Sequence, residues 1–315
     1  MNFNKNNIYK NILIFMTLKL APIILFVYNR LWHTEQTILS LQKNELAYDS
    51  DLIIYSDGPK NDEDKHRVNE VRKYIHSIDG FKNISIIERE RNYGLATSII
   101  SGVTEIINHH GSAIIIEDDM VTSRFLLKYL NDGLNIYSNI EEVISIHGYI
   151  YPVKEVNSDT FFLRGADCWG WATWKRGWDL FNPDGSELLT ELKKNKLEME
   201  FDFNNSYPYT KMLSGQTKGK NDSWAVRWYA SAFLNNKLSL YPSKSLVHNT
   251  GCDGSGHHCK TYSDDYASSL NDEPIEIKKI PVEDNIFMRK QFENYFKSIN
   301  KPPGIIKRLL NKIDL

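Results

Sequence analysis

The sequence predicts an α/β fold in which a mostly parallel sheet is covered by helices on both faces. Short apolar runs alternate with helical segments through the first half of the chain, and each run ends in a polar cluster. The runs are rich in Ile and do not alternate polar with apolar residues, as expected for strands buried on both faces. Ligands bind outside the carboxyl ends of such strands, so we expect the polar clusters to share one functional rim.

Four strand–helix units make up this half of the chain. PIILFVYNR precedes HTEQTILSLQKN, and DLIIYSDGP precedes NDEDKHRVNEVRKYI, in which Val68, Val71 and Ile75 share one helical face. NISIIERERNYG precedes LATSIISGVTEII, and SAIIIEDDM precedes TSRFLLKYLNDGLNIY. Beyond residue 140 the pattern predicts a strand in EEVISIHGYI, a helix in DSWAVRWYASAFL, and a strand followed by a turn in KLSLYPSKSLVHN.

Charge and cysteine content limit the classes of protein to consider. The 315 residues carry a formal net charge of −2, which argues against a protein held on nucleic acid mainly by bulk electrostatics. Three cysteines give no disulfide framework, so we expect a reducing, cytoplasmic location.

Both ends of the chain carry basic and apolar residues. Lys19 and Pro22 interrupt the N-terminal apolar stretch, whose runs are too short to span a membrane, and residues 23–28 are predicted as a core strand. The C-terminal GIIKRLLNKIDL is predicted as an amphipathic helix packed on the body. The alternative is a peripheral contact between the basic termini and the inner face of an anionic membrane.

Three adjacent acids, Glu117, Asp118 and Asp119, end the apolar run AIII. Carboxylate oxygens are the ligands that hard divalent cations prefer, and this residue type suits Mg²⁺, Mn²⁺ and Ca²⁺ alike. The alternative is structural: Asp118 or Asp119 could cap the helix predicted to begin near Ser123, or pair with nearby arginines.

An apolar strand that ends in Glu-Asp-Asp resembles the DxD-type metal-binding signature of nucleotide-sugar glycosyltransferases of the GT-A fold. Together with PIILFVYNR and LIIYSDG upstream, it is similar to the N-acetylglucosaminyltransferase I family and its bacterial relatives, over roughly residues 21–260. The resemblance implies a GT-A sheet with a smaller acceptor-side half, a Mn²⁺ or Mg²⁺ cofactor, a UDP-sugar donor and a glycan acceptor. It divides the chain into an N-terminal extension (1–20), a nucleotide-sugar-binding half (21–150), an acceptor and catalytic half (151–262) and a C-terminal tail (263–315).

Residue by residue, the resemblance implies that Asp119 ligates the metal and that Glu117 and Asp118 meet the donor sugar and ribose. Arg30, in Tyr28-Asn29-Arg30, matches a donor-contacting arginine, although the two residues before it differ from the family's pattern. Asp57 matches an aspartate expected near the uracil, across a one-residue gap. The family's donor-facing histidine has no clear counterpart in NYGLATSIISG, which leaves the donor sugar open.

The tryptophan-rich RGADCWGWATWKRGWD is similar to the family's GLGW stretch. The resemblance puts Gly170 and Trp171 near the donor. Trp174 and Trp178 are predicted to be mostly structural, because tryptophans so spaced more often pack in a core or at its rim.

KNDSWAVRWY resembles the family's W-D-D-W segment, which carries the catalytic base, and Asp222 takes the place of that aspartate. The alternative is that Asp222 is the N-cap of the helix, a position that favours aspartate.

Two further loops contain candidate site residues. Loops like VHNTGCDGSGHHC close over the site in bacterial relatives, so His258 or His248 is expected to add a metal or phosphate contact, whereas the spacing of its Cys and His residues fits no standard zinc finger. GQTKGK lacks the spacing of a P-loop and follows no apolar strand. The remaining candidates, His33, His76, His109 and His110, are predicted to lie on the surface.

The resemblance implies an inverting, metal-dependent glycosyltransferase that moves a sugar such as GlcNAc from a UDP-sugar to a glycan or glycoconjugate acceptor, in bacterial polysaccharide or glycoconjugate assembly. One alternative is a non-catalytic glycan-binding or scaffold protein with a degenerate transferase fold, which the intact Glu117–Asp119 and Asp222 disfavour. The other is a sugar-1-phosphate nucleotidyltransferase. The glycine-rich basic loop of those enzymes is absent from YNRLWH, which follows the first strand.

Overall fold

The computed structural model of the chain describes residues 20–254 and 264–300. It confirms the α/β class, with one eight-stranded, mostly parallel sheet that is flanked by helices. The strands of the described residues are β1 (Ile23–Val27), β2 (Asp51–Ser56), β3 (Asn83–Glu88), β4 (Ser112–Glu117), β5 (Met120–Thr122), β6 (Val143–His147), β7 (Thr160–Arg164), β8 (Trp171–Trp174), β9 (Leu238–Pro242) and β10 (Val247–Asn249).

The helices cover the sheet and build the second half of the fold. In the described residues they are α1 (Leu31–Gln42), α2 (Asp62–Ile75), α3 (Leu95–His110), α4 (Leu126–Ile136), α5 (Lys175–Trp178), α6 (Gly185–Lys194), α7 (Glu198–Phe201), α8 (Tyr209–Thr217), α9 (Trp224–Leu234) and α10 (Ile286–Ile299). None of these helices is long and apolar enough to cross a membrane.

The strand order of the main sheet is β3-β2-β1-β4-β8-β6-β9-β7. The first four strands are parallel, with Ile23 of β1 opposite Leu52 of β2 and Ile114 of β4. β8 runs antiparallel to both β4 and β6, and β9 is parallel to β6. The carboxyl ends of β1, β2, β3, β4, β6 and β9 therefore lie along one edge, here called the rim, and β8 begins there.

Apolar residues on both faces of the sheet are buried, as the uninterrupted Ile-rich runs predict. Helices α1, α2 and α4 cover one face, and on α2 the predicted stripe of Val68, Val71 and Ile75 is buried. Helix α3 covers the other face together with a group of tryptophans from β8, α5 and α9. Burial of this stripe confirms the helical register read from the sequence.

A third apolar cluster is formed by side chains from all five helices α6, α7, α8, α9 and α10, and it is rich in aromatic residues. Phe292 and Phe296 of α10 are almost fully buried in it. Helix α10, which lies in the predicted C-terminal tail (263–315), therefore contributes to the core. The predicted basic termini fall largely within residues 1–19 and 301–315, outside the described residues.

Candidate functional site

The rim brings together the acids that follow β4 and the arginine that follows β1. Register pairs Phe26 of β1 with Glu117 of β4, so Arg30 and Asp118 lie only a few residues beyond neighbouring strand ends. The Arg30 guanidinium donates through Nη2 and Nε to the Asp118 carboxylate, the Nε bond measuring 3.3 Å, and through Nη2 to Oδ2 of Asp119 at 2.8 Å. The Arg30 guanidinium therefore bridges Asp118 and Asp119.

The electrostatics of this cluster follow from burial. Desolvation lowers the pKa of Arg30, but the charges of Asp118 and Asp119 outweigh it and raise the pKa above its ordinary value. Burial, followed by the charges of Asp119 and Asp118, raises the pKa of Glu117 well above its ordinary value, and Arg30 only partly opposes this. A strongly shifted carboxyl group in a cleft is typical of functional sites.

Two buried atoms of the cluster have no hydrogen-bond partner in the described part of the chain: Nη1 of Arg30 and Oδ1 of Asp119. Buried polar atoms are nearly always hydrogen-bonded, so each such atom calls for a partner such as an ion, a water or a ligand. Asp119 Oδ1 is a suitable oxygen for a hard cation, and Nη1 of Arg30 is a suitable donor to an anionic or hydroxylic ligand.

The described residues contain no group of three His, Cys, Asp or Glu side chains arranged to hold a metal ion. Mg²⁺ is commonly bound through only one or two carboxylates, together with substrate phosphates and water. The free oxygen of Asp119 fits that pattern. His258, the other predicted metal contact, lies outside the described residues.

The segment after β10 packs directly on Asp119. β10 pairs with β5 in a separate two-stranded sheet, and both the backbone N–H and the hydroxyl of Thr250 donate to the backbone oxygen of Asp119, at 2.8 and 3.1 Å. A Cβ at Gly251 would lie 2.1 Å from Oδ2 of Asp119. Only glycine fits at this position without moving the carboxylate.

His33 and Asp253 link helix α1 to the same segment. The His33 Nε2 and Asp253 Oδ2 atoms are 3.0 Å apart, and His33 is buried. The prediction that His33 lies on the surface is therefore wrong, because its ring forms a tertiary contact that spacing along the chain does not reveal. His248 on β10 has its Nδ1 3.1 Å from the backbone oxygen of Ser268.

Asp57 lies at the rim, as predicted, but its carboxylate is engaged by the backbone. It accepts N–H bonds from Gly58 at 2.9 Å, from Tyr93 at 2.9 and 3.1 Å, and from Gly94 at 3.0 Å. A Cβ at Gly58 would lie 2.5 Å from the backbone of Arg91. Asp57 therefore fastens the loop after β3 to the end of β2, and its predicted place near the uracil remains a prediction.

Gly170 and Trp171 lie where β8 begins, with Trp171 opposite Ile115 of β4. Gly170 has φ +61, and a Cβ there would lie 2.5 Å from Val247. The Trp171 side chain is fully buried, with ring centroids 5.7 Å from Trp224 and 5.6 Å from Trp228. The predicted donor contact of Trp171 stays a prediction that this core position does not favour.

Trp174 and Trp178 are structural, as predicted. Both side chains are largely buried, and their indole N–H groups donate to the backbone oxygen of Leu134 and to the hydroxyl of Thr104.

Asp222 stands immediately before the N-cap of α9. Ser223 is the N-cap, since its hydroxyl accepts the N–H of Val226 at 3.2 Å, so the alternative that Asp222 caps the helix is wrong. The Asp222 side chain is 70% exposed and accepts from the Arg227 guanidinium at 3.1 Å. The contact between Trp224 and Trp171 puts this end of α9 beside the start of β8, at the level of the rim.

Sequence reasoning passed over two rim residues, Asp167 and His147. His147 is fully buried at the end of β6, and Asp167 lies in the loop before β8, with Oδ1 3.9 Å from the His147 ring. Asp167 lies within the tryptophan-rich stretch, in which the sequence analysis considers only Gly170 and the tryptophans as candidates. Its position in a loop between two rim strands is the signal that could have found it.

Comparison with known proteins leaves the family open. No protein-family model and no curated protein matches the chain. Among solved structures, the chain is similar to TarS from S. aureus (residues 1–349), with 13% identity over 74% of this chain and 61% of that chain and a TM-score of 0.41.

Two further similar structures are enzymes bound to Mn²⁺. Glucosyl-3-phosphoglycerate synthase from Mycobacterium tuberculosis, in complex with Mn²⁺, UDP and phosphoglyceric acid, is 12% identical over 56% of this chain and 64% of that chain, with a TM-score of 0.32. The mannosyltransferase PcManGT from Pyrobaculum calidifontis, in complex with GDP-Man and Mn²⁺, is 12% identical over 42% of this chain and 37% of that chain, with a TM-score of 0.31.

The chain therefore spans between 37% and 64% of the length of these structures. These similarities are too low to support an argument about function. The residues of the rim are therefore the basis for assigning a function.

Proposed function

We propose that the chain is a metal-dependent, inverting glycosyltransferase of the GT-A type that moves a sugar from a UDP-sugar to a glycan or glycoconjugate acceptor. The observation that carries the proposal is the cluster of Glu117, Asp118, Asp119 and Arg30 at the rim. Its members have low exposure, and Oδ1 of Asp119 has no hydrogen-bond partner within the described residues. The resemblance of the strand ending in Glu-Asp-Asp to the DxD-type signature supports the choice of a nucleotide sugar, and of UDP in particular.

In this proposal Asp119 Oδ1 would hold Mn²⁺ or Mg²⁺, ions that proteins commonly bind through one or two carboxylates together with substrate phosphates and water. When bound, the metal neutralises the charge that grows on the leaving diphosphate. Nη1 of Arg30 is free to donate to a phosphate or ribose oxygen. Burial and the charges of Asp119 and Asp118 raise the pKa of Glu117, and its carboxyl group is assigned a hydrogen bond with a donor hydroxyl.

The transfer forms a bond between an acceptor hydroxyl oxygen and the anomeric carbon, while the bond from that carbon to the diphosphate oxygen breaks. We assign the hydroxyl proton to Asp222, which accepts it as general base, and UDP leaves with the electron pair of the broken bond. The Arg227 guanidinium, itself almost buried, holds the Asp222 carboxylate from one side and leaves it exposed to an acceptor on the other.

We place this reaction in the cytoplasm, at the stage of bacterial polysaccharide or glycoconjugate assembly. The Cys168 thiol forms no disulfide within the described residues, which supports a reducing compartment.

Turnover of a panel of UDP-sugars tests the proposal. The purified chain with Mn²⁺ should release UDP from at least one of them, slowly by hydrolysis and faster when an acceptor glycan is added. Asp222→Asn should keep its affinity for the donor while kcat falls by about 10²–10⁴-fold, the usual contribution of a positioned base. Lys220→Gln, in the same loop, serves as the matched control and should retain turnover.

Two results would contradict the proposal. If the chain binds UDP but releases UDP from none of the UDP-sugars, it is a binding protein with a degenerate transferase fold. Wild-type turnover by Asp222→Asn would remove Asp222 from the mechanism.

A further inference from the structure

Beyond β4, the strand order continues the rim through the start of β8, the end of β6 and the end of β9. Neighbouring strands lie about 4.8 Å apart, so these three steps cover roughly 14 Å from the acids of β4. The loops of residues 148–159 and 243–246 lie on this part of the rim. The segment 165–170 starts at the opposite edge, where β7 ends, and reaches the rim with Trp169 and Gly170. Side chains that these loops and the end of this segment carry therefore stand beside the proposed donor site.

Asp167 is a carboxylate of this region, in the segment that leads into β8. Its side chain is 19% exposed, and Oδ1 accepts the N–H of Cys168 at 2.8 Å. Burial raises the pKa of the Cys168 thiol, and the charges of Asp167, Glu117 and Asp119 raise it further. The charges of Asp167 and of the acids of β4 therefore act on the same thiol.

His147 fixes the loop that carries Asp167. Nδ1 of His147 lies 2.8 Å from the backbone oxygen of Tyr149 and must donate to it, since that oxygen can only accept. Nε2 then accepts the backbone N–H of Trp169 at 3.1 Å. A neutral, fully buried imidazole thus holds Trp169 and Asp167 at the rim.

Aromatic rings form a wall next to Asp167. Trp169 packs at 4.7 Å from Tyr149 and 5.8 Å from Tyr266, measured between ring centroids, and Tyr151 is 6.2 Å from Tyr266. Trp169, Tyr151 and Tyr266 are only half-buried.

A cavity of about 560 Å³ adjoins this wall at Tyr151. Most of its other lining residues carry polar groups, among them Ser243, Lys244, Ser269, Asn271 and Asp272. Its volume is in the range of pockets that hold small molecules.

We propose that Asp167, Trp169 and Tyr151, with the adjoining cavity, form the acceptor subsite and bind a neutral pyranose ring of the acceptor glycan. The apolar C–H face of a pyranose packs on aromatic rings, and its hydroxyls donate to a carboxylate. Asp167 beside Glu117 and Asp119 makes this part of the rim acidic, which disfavours an anionic acceptor. The inference rests on the proposed function and adds to it the class of acceptor.

Saturation-transfer NMR with three probes tests this subsite: methyl glucopyranoside, methyl galactopyranoside and methyl N-acetylglucosaminide, each with UDP and Mn²⁺ present. At least one should bind the wild-type chain, and its affinity should fall at least about tenfold in Asp167→Asn and in Trp169→Ala. Tyr48→Ala is the matched control, because Tyr48 is 76% exposed and precedes β2 at the edge opposite the rim. It should bind the probe as the wild type does.

The melting shift caused by UDP and Mn²⁺, recorded for each variant, shows that the fold and the donor site are intact. If it is absent from the wild type while probe binding still depends on Asp167, the proposed function fails and the pyranose site stands. The subsite is overturned if no probe binds the wild type. It is also overturned if Asp167→Asn and Trp169→Ala both bind as the wild type does.

Discussion

At the residue scale, Arg30 is the group that holds the acidic cluster together. Its pairing with Asp118 and Asp119 leaves two carboxylates at low exposure, with a single cation between them. Removing one partner of a buried pair is costly, because the remaining charge is left without compensation.

Arg30→Met should therefore lower the free energy of unfolding at neutral pH by about 3 kcal/mol, measured by urea unfolding without metal. Mn²⁺ should recover part of this loss, since a divalent cation can replace the guanidinium as counter-charge. The matched control is Arg67→Met, whose side chain is 58% exposed beside Asp64 and should change stability by less than about 0.5 kcal/mol. If Arg30→Met unfolds at the wild-type urea concentration, the bridging role of Arg30 is wrong.

His147 gives the protein a predictable response to acid. Burial lowers the pKa of His147 below its ordinary value of 6.5. Between the lowered pKa and 6.5 the unfolded chain binds more protons than the folded chain, so this residue contributes stability above pH 6.5 that is lost as the pH falls.

The wild type should lose more unfolding free energy between pH 7.5 and pH 5 than His147→Gln does. Urea unfolding of both chains at several pH values measures the difference, in which other titrating groups largely cancel. An equal loss in the two chains would show that His147 is not held neutral. At pH 7.5 the variant should be less stable by about 1–3 kcal/mol, because a hydrogen bond of the buried ring is lost.

Sequence patterns predicted which residues lie at the rim more reliably than they predicted the contacts of those residues. The apolar runs put Arg30, Asp57 and Glu117 at one rim, and the structure agrees. That Asp57 is saturated by the N–H groups of Tyr93 and Gly94 depends on how two loops pack, which no periodicity encodes. The same holds for the contact of His33 with Asp253, which joins residues 220 positions apart.

At the element scale, the strands with uninterrupted apolar runs were predictable and the short ones were not. β1, β2, β3 and β4 and their following helices lie close to where the sequence puts them. β5 has three residues directly after the acids and exists because it pairs with β10, more than a hundred residues later. Helices α6 and α8 fall in the region 182–220, where the sequence shows no readable motif.

The β5–β10 pair gives Gly251 its role at the site. Gly251→Ala would put a methyl group against Oδ2 of Asp119, so the carboxylate must move. We expect at least about a tenfold loss of UDP affinity in the presence of Mn²⁺, measured by titration calorimetry.

Gly111→Ala is the matched control for this prediction. Gly111 ends α3 with φ +84, and a Cβ there meets nothing within 4 Å. The change should cost about 1 kcal/mol of stability through backbone strain and leave UDP affinity unchanged. Equal UDP affinity in Gly251→Ala and the wild type would contradict the packing of the β10 segment on Asp119.

At the scale of the whole molecule, the C-terminal segment is part of the body. The Phe296 ring of α10 is fully buried, with centroids 4.9 Å from Tyr151 and 5.3 Å from Phe203. The sequence analysis assigns residues 263–315 to a C-terminal tail, because the segment is polar and then basic. The composition of a window does not reveal that two aromatic residues one turn apart complete a distant core.

Phe296→Ala should lower the unfolding free energy by about 3–5 kcal/mol, the usual cost of deleting a buried aromatic ring. Phe287→Ala is the matched control on the same helix, because Phe287 is 39% exposed and should change stability far less. Urea unfolding measures both variants. Similar losses in the two would mean that α10 does not pack on the aromatic cluster.

The melting temperature with and without UDP and Mn²⁺ tests the central claim most directly: that the acids after β4 hold a cation and the diphosphate of a nucleotide. For the wild type, UDP together with Mn²⁺ at about 100 times the dissociation constant should add roughly 2.7 kcal/mol of stability, whereas UDP alone should add much less. Asp119→Ala should lose the part of the shift that depends on Mn²⁺. An equal shift in Asp119→Ala, or no shift in the wild type with either nucleotide or metal, would contradict the account.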